Sequence, residues 1–279
     1  MLARRPFLMG AAAAGVARPA FAADALTALE QRSGGKLGVF AVESRSGRVI
    51  GHRQDERVLM CSTFKALLAG AVLARVDAGQ ERLDRRVPIA EGDLLDYAPA
   101  VRAHLAEGTM TVGQLCAGMV ELSDNSAANL LLATLDGPAG LTRFLRGIGD
   151  PLTRLDRTEP ALNVAHGELD TTTPRRIAET LRVLLLGEAL RPASRAHLEG
   201  WMVASPTGRA RLRAGLPEGW RVGDKTGTGG NWANVVAIIH PPGQAPILAA
   251  SYLELPGATG AQRDAVHREV GAILAAWAR

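Results

Sequence analysis

Cysteine is nearly absent from this 279-residue chain, which has only Cys61 and Cys116. Their spacing matches no metal site, and although an oxidising compartment would permit a disulfide, sequence alone does not establish the pairing. The six histidines, at 52, 104, 166, 197, 240 and 267, are dispersed without ligand spacing, so no metal is expected. No cofactor is expected either. No segment is long and apolar enough to span a bilayer, which argues against stable membrane association. Low-complexity tracts and repeats are missing too. Charge is close to balanced, with 32 Lys and Arg against 28 Asp and Glu and a formal net charge of +4. The arginines lie scattered among acids, as on a solvated surface, so no nucleic-acid partner is expected. What is present is 47% hydrophobic content over a length that supports one large core.

The first 22 residues read as a leader. Arg4 and Arg5 make a basic start, an Ala/Gly-rich apolar run follows, and Pro19-Ala20-Phe21-Ala22 closes it with small residues. That order describes a secretory signal cleaved after about Ala22, and the paired arginines before Phe7-Leu8 suit a twin-arginine signal. An ordinary secretion signal is the alternative. Either implies export to the periplasm. Losing Arg4, Arg5 and Arg18 would lower the formal charge from +4 to about +1.

The body of the chain reads as strands at both ends and helices between. Asp24 to Arg32 is a short helical pattern, and Lys36–Glu43 and Arg48–His52 form a hairpin about Ser46-Gly47. Apolar residues at 67, 68, 72, 73 and 76 predict a helix with one buried face, ending near Gly79. Thr111-Val-Gly-Gln114 has the form of a capping box opening a helix through Glu121. Further helices are expected over 127–135, 174–186, 192–203 and 259–278. Residues 220–226, 234–240 and 247–255 read as three sequential strands, whose short connections imply antiparallel pairing. Joined to the hairpin they predict an α/β fold: a five-stranded antiparallel sheet flanked by helices, with an all-helical second half. The expected domains are residues 23–57 with 205–279 for the sheet, and 58–204 for the helices.

Three short motifs carry chemistry. In Cys61-Ser62-Thr63-Phe64-Lys65 the serine opens a helix, and Lys65 lies one turn on, close enough for its amine to meet the hydroxyl. A serine hydroxyl is a weak nucleophile until a neighbour takes its proton, and unpaired N–H groups at a helix start favour developing negative charge. Taken alone, the pair reads more readily as a helix-capping serine beside a solvated lysine. Ser123-Asp124-Asn125 interrupts two apolar helical runs, where a polar triplet must find partners or cap a helix. Lys225-Thr226-Gly227-Thr228-Gly229 ends a strand, with positive charge, hydroxyl donors and glycines that admit a close backbone.

Together, and in this order, the three motifs resemble those of the class A serine β-lactamases and penicillin-binding proteins. The resemblance covers nearly everything after the leader. It implies that Ser62 attacks a β-lactam, with Lys65 or Glu159 acting through water as the base for that step. It further implies that Ser123 passes a proton to the departing nitrogen and that Asn125 holds the substrate's side-chain amide. Lys225, Thr226 and Thr228 would bind the substrate carboxylate, while the N–H groups of Ser62 and Thr228 would form an oxyanion hole. Tyr97 matches an aromatic residue flanking the cleft mouth in this family. The segment Arg157-Thr158-Glu159-Pro160-Ala161-Leu162-Asn163 matches the loop whose glutamate activates the deacylating water, with Asn163 fixing that water and Arg157 paired to Asp170 at the neck.

Departures from the family pattern are local. The segment between Asn163 and Asp170 is about two residues short, which leaves substrate preference open. Asn234 stands where many relatives carry an arginine toward the substrate carboxylate, and Arg211 matches the arginine that others use instead. Relatives that bridge a cysteine at position 61 or 116 do so to partners that here are Gly229 and Ala69, so both thiols are expected free and buried. The resemblance implies hydrolysis of penicillins, with cephalosporins and carbapenems open, antibiotic resistance, and a monomer. A transpeptidase would share the three motifs but lack Glu159, and a sensor that stays acylated would need a membrane segment.

Overall fold

The computed structural model describes residues 17–279, with side chains from Ala23 onward. Most of the expected leader, residues 1–16, lies outside the described residues. In chain order, the major elements are α1 (Ala17–Ser33), β1 (Lys36–Glu43), β2 (Val49–His52) and α2 (Phe64–Asp77). Next come α3 (Val112–Glu121), α4 (Asn125–Ala133), α5 (Gly137–Gly147), α6 (Pro174–Leu186) and α7 (Pro192–Ala204). The chain closes with β3 (Arg221–Gly229), β4 (Trp232–His240), β5 (Ile247–Glu254) and α8 (Gly260–Ala278). Among the described residues no helix is long and apolar enough to cross a membrane.

The five strands form one antiparallel sheet in the order β2-β1-β5-β4-β3, so the first strand pairs directly with the last. Side chains alternate across a pleated strand, and here each set meets a different core. Phe40, Val236, Ile238, Leu248, Ala250 and Tyr252 point to the helical bulk of the molecule. Val39, Val235, Ala237, Ile239, Ala249 and Leu253 point the other way, onto Leu26 and Leu29 of α1 and Val266, Val270 and Trp277 of α8. Sequence reads these strands as uniformly apolar because both faces are covered.

Three local expectations need correction. Residues 64–73 of α2 are all buried, not one face of them; a helix apolar all round belongs in the middle of a core, and α2 packs among α3, α4, α6 and α7. The helix also starts later than expected, at Phe64 and not at Ser62. Cys61–Thr63 is a separate 3-10 turn, and Cys61 adopts a positive φ of 45° to make the corner. Finally, β3 does not stop at Thr226 but runs through Gly229, because the hairpin closes tightly at Gly230-Asn231 and pairs Gly227 with Asn234.

The capping chemistry follows the sequence. Thr111 and Gln114 form the reciprocal capping box of α3, and Thr259 and Gln262 form another at α8. Asp124 caps α4 through Ala127 N–H, so that helix begins at Asn125, ahead of the apolar run that predicted it.

Candidate active site

The turn that carries Ser62 is held from the sheet. Asn234 on β4 is fully buried, and its Nδ2 donates to the carbonyls of Leu59 (2.9 Å) and Met60 (3.3 Å), just before the turn. β3 can lie against the turn only because Gly227 lacks a side chain: a Cβ there would fall 2.7 Å from Met60 O and 3.1 Å from Ser62 N. The Asn234 amide therefore fastens the main chain that leads into the serine's turn.

Lys65 and Ser62 share a carboxylate. The Ser62 hydroxyl donates to Glu159 Oε1 at 3.2 Å, and Lys65 Nζ lies 3.0 Å from the same oxygen. Sequence spacing had put the lysine amine against the hydroxyl; in the structure the amine instead donates to the carbonyl of Ser123 (2.8 Å) and to Asn125 Oδ1. Lys65 has no exposed surface, and burial pulls its amine below the usual lysine range, with Glu159 opposing the shift.

Ser123 stands on a left-handed residue, φ 63°, between α3 and α4. Such a conformation costs a non-glycine residue and persists only where neighbours hold it. Asp124 supplies that hold: one oxygen caps Ala127 N–H at 2.8 Å, and the other accepts Ala100 N–H (2.8 Å) and Val101 N–H (2.9 Å). Lys225, fully buried on β3, donates to Ser123 Oγ at 3.0 Å and to its neighbour's carbonyl, Thr226 O, at 2.8 Å. Its amine is held well below the usual range, first by burial and then by the positive charge of Lys65.

Glu159 lies in the long connection before α6 and is 3% exposed, too little for a surface charge. Asn163 Nδ2 donates to its Oε2 at 2.6 Å. The neck of the loop is drawn shut by Arg157 Nε and Asp170 Oδ2 at 2.6 Å, and Asp170 Oδ1 also accepts the N–H groups of Asp156 and Arg157. The segment between, 164–168, is exposed throughout.

Arg211 is 8% exposed and fully engaged. It pairs with Asp264 of α8 at 2.8 Å, donates to the carbonyls of Gly227 (3.1 Å) and Asn234 (2.6 Å), and reaches Thr228 Oγ1 at 2.8 Å. Thr226 Oγ1 donates to Thr207 Oγ1 at 2.8 Å. Tyr97 is 53% exposed and joins the network only through its carbonyl, which accepts Asn125 N–H at 3.0 Å.

Hydrogen bonds thus link Ser62, Lys65, Ser123, Asn125, Glu159, Asn163 and Lys225 into one network, with Thr228 farther along the strand of Lys225 and Arg211 bonded to Thr228 from outside it. One member escaped the sequence reading. Asn129 brackets the Glu159 peptide, and its signal was its place four residues after Asn125, on the same face of α4. Cys61 and Cys116 are both free and buried. Burial pushes the Cys61 thiol up to about 12, and the Cys116 thiol is raised for the same reason.

Residues 21–278 match the model of the β-lactamase enzyme family. The chain belongs to that family, and its relatives place it in class A. The β-lactamase L2 of Stenotrophomonas maltophilia is 47% identical over 256 residues, covering 90% of this chain and 84% of the relative. A reconstructed ancestral class A β-lactamase of Gram-negative bacteria is 57% identical with a TM-score of 0.89, over 91% of this chain and 98% of that one. A β-lactamase from Burkholderia vietnamiensis superposes with a TM-score of 0.91 at 49% identity, over 96% of this chain and 98% of its own.

Proposed function

We propose that Ser62 is the nucleophile of this enzyme and Glu159 the base that frees it again. The chain is a class A serine β-lactamase: it hydrolyses the β-lactam ring of antibiotics through a serine acyl-enzyme, and it confers resistance by doing so. In the proposed sequence the Ser62 hydroxyl loses its proton toward the Glu159–Lys65 pair and attacks the ring carbonyl. Burial favours a neutral Lys65 amine, which suits it to pass protons within that pair. The N–H groups of Ser62 and Thr228 receive the developing oxyanion. Ser123, backed by Lys225, delivers a proton to the departing nitrogen. A water held by Glu159 and Asn163 then attacks the ester.

Substrate binding in this reading falls to Lys225, Thr226 and Thr228 for the carboxylate, with Arg211 adding charge behind Thr228. Asn125 takes the side-chain amide and Tyr97 flanks the entrance. The sheet with its terminal helices, residues 23–57 and 205–279, forms one domain and residues 58–204 the other. The enzyme acts as a monomer in the periplasm after removal of residues 1–22, on small-molecule substrates and without nucleic-acid partners.

One observation carries the assignment of roles: a single buried carboxylate oxygen lies within 3.2 Å of the Ser62 hydroxyl and 3.0 Å of the Lys65 amine. Replacing Glu159 by Gln tests it. Intact-mass measurement after mixing with a penicillin should show the protein trapped with one bound acyl group, whereas turnover at the unaltered rate would refute the role of Glu159.

A further inference from the structure

The far end of α2 carries a cation that adds, from a distance, to the lowering of the Glu81 carboxyl by Arg85 but touches no carboxylate. Arg75 sits in the last turn of that helix, where a cation is favoured by the free carbonyl groups. Its Nε is buried without a partner, and its guanidinium makes no hydrogen bond or ion pair with any described residue. A guanidinium has five donors in a rigid fork; here the Nε–H is shut off from solvent with nothing to accept it, which is costly, while the rest of the fork faces outward.

Two clefts open on either side of this side chain and share Arg75 and Gln80 as lining. The larger, about 580 Å³, already holds carboxylates: Glu81 is engaged by Arg85 and Asp84 by Arg82. The smaller, about 370 Å³, has an apolar wall of Ala71, Ala74, Leu135 and Phe144, with Arg143 at its rim. Arg143 is tied only to Asp136, and both are exposed (63% and 85%), so that pair holds it weakly.

We propose that the smaller cleft binds an organic monoanion, an oxyanion head on a single aryl or short alkyl body, with the head on Arg75. The planar fork suits two oxygens at once. The apolar wall requires a body that a free inorganic anion lacks. Asp136 on one side and Glu81 and Asp84 on the other repel a polyanion. The volume is near the lower end for small-molecule sites, which limits the body to about one ring. Arg75 lies thirteen residues beyond Ser62, about 20 Å at roughly 1.5 Å per residue, so this site is separate from the proposed catalytic network.

The test is a two-dimensional amide NMR titration of the full protein with 4-phenylbutyrate, 4-phenylbutanol and inorganic phosphate. The carboxylate should shift the amides of Ala71, Arg75, Gln80 and Phe144, and the alcohol and phosphate should not. Arg75→Gln should weaken binding by at least roughly fivefold, as expected for loss of one charge-assisted hydrogen bond. Gln80→Glu changes only an exposed side chain and should weaken binding through repulsion, which keeps the test open if Arg75→Gln folds poorly. Equal affinity for the alcohol, unchanged affinity in both variants, or shifts confined to Lys225–Thr228 would overturn the proposal.

Discussion

Asn129 clasps the main chain of Glu159 from both sides: its Nδ2 donates to the Glu159 carbonyl at 2.9 Å, and its Oδ1 accepts the Glu159 N–H at 3.0 Å. Neither bond touches the Glu159 carboxylate, yet together they fix the height of that residue above α4. Asn129→Ala leaves both peptide groups without these partners, a cost of about 1–3 kcal/mol for each that stays buried. On the proposed roles, deacylation should suffer more than acylation. Stopped-flow kinetics should show a burst of product followed by a slowed steady state, with a lowered melting temperature.

Cys61 Sγ and Asn163 flank the place where Gly229 lacks a Cβ, with Asn163 Cβ 3.0 Å from it. A Cβ built there would sit 3.2 Å from the sulfur, close to the spacing of a Cβ from the far sulfur of a disulfide. Gly229→Cys should therefore form an intramolecular bridge to Cys61. Burial holds the Cys61 thiol at about 12, so little thiolate exists at neutral pH and closure should need an added oxidant. Thiol titration of the unfolded protein should find three free thiols before oxidation and only Cys116 afterwards.

His267 is buried in α8 between Ser251 Oγ, 2.9 Å from Nδ1, and the Ala233 carbonyl, 2.8 Å from Nε2. Burial lowers its pKa from the ordinary 6.5 to about 3, with the charge of Arg211 adding to the effect. The unfolded chain binds a proton below pH 6.5 that the folded chain refuses until about pH 3. The stability this residue contributes is thus complete above pH 6.5 and is lost as pH falls toward 3, at about 1.4 kcal/mol per pH unit. Urea titrations at pH 6.5 and 4.5 should differ by about 2 kcal/mol more in the wild type than in His267→Gln.

Arg211 joins Asp264, two strand carbonyls and Thr228 Oγ1. Arg211→Ala removes a charge from behind the proposed carboxylate site and leaves Asp264 unpaired. The expected result is a rise in KM of about tenfold or more for substrates bearing that carboxylate, with a smaller change in kcat. Arg211→Lys keeps the charge but not the fork, and should recover only part of the loss.

Much of this architecture could be read in advance because each signal was local. The strands, the two terminal helices and the capping box at Thr111 follow from periodicity and end chemistry over a few residues. The extent of α2 burial was hidden because Lys65, Gly70 and the alanines interrupt the apolar count, while burial is decided by what packs around a helix. The site divides in the same way. Ser62, Ser123, Glu159 and Lys225 sit in motifs with recognisable spacing. Asn129, Asn234 and Asp264 act through backbone atoms or through another side chain, and only three-dimensional proximity shows that. The rerouting of the Ser62 hydroxyl toward Glu159 belongs to this second group, since the two residues are 97 positions apart.

The complete enclosure of residues 64–73 sets where this enzyme has room to change. Altering almost any residue of that helix perturbs the core, so drift there would move the serine and weaken the protein together. Residues 164–168 are exposed, held at their edges by Arg157 on the Val164 carbonyl and by Arg57 and Thr171 on Glu168. Sequence novelty can accumulate in that short span at little thermodynamic cost, and new antibiotic preferences should arise there first while the reacting groups keep their address.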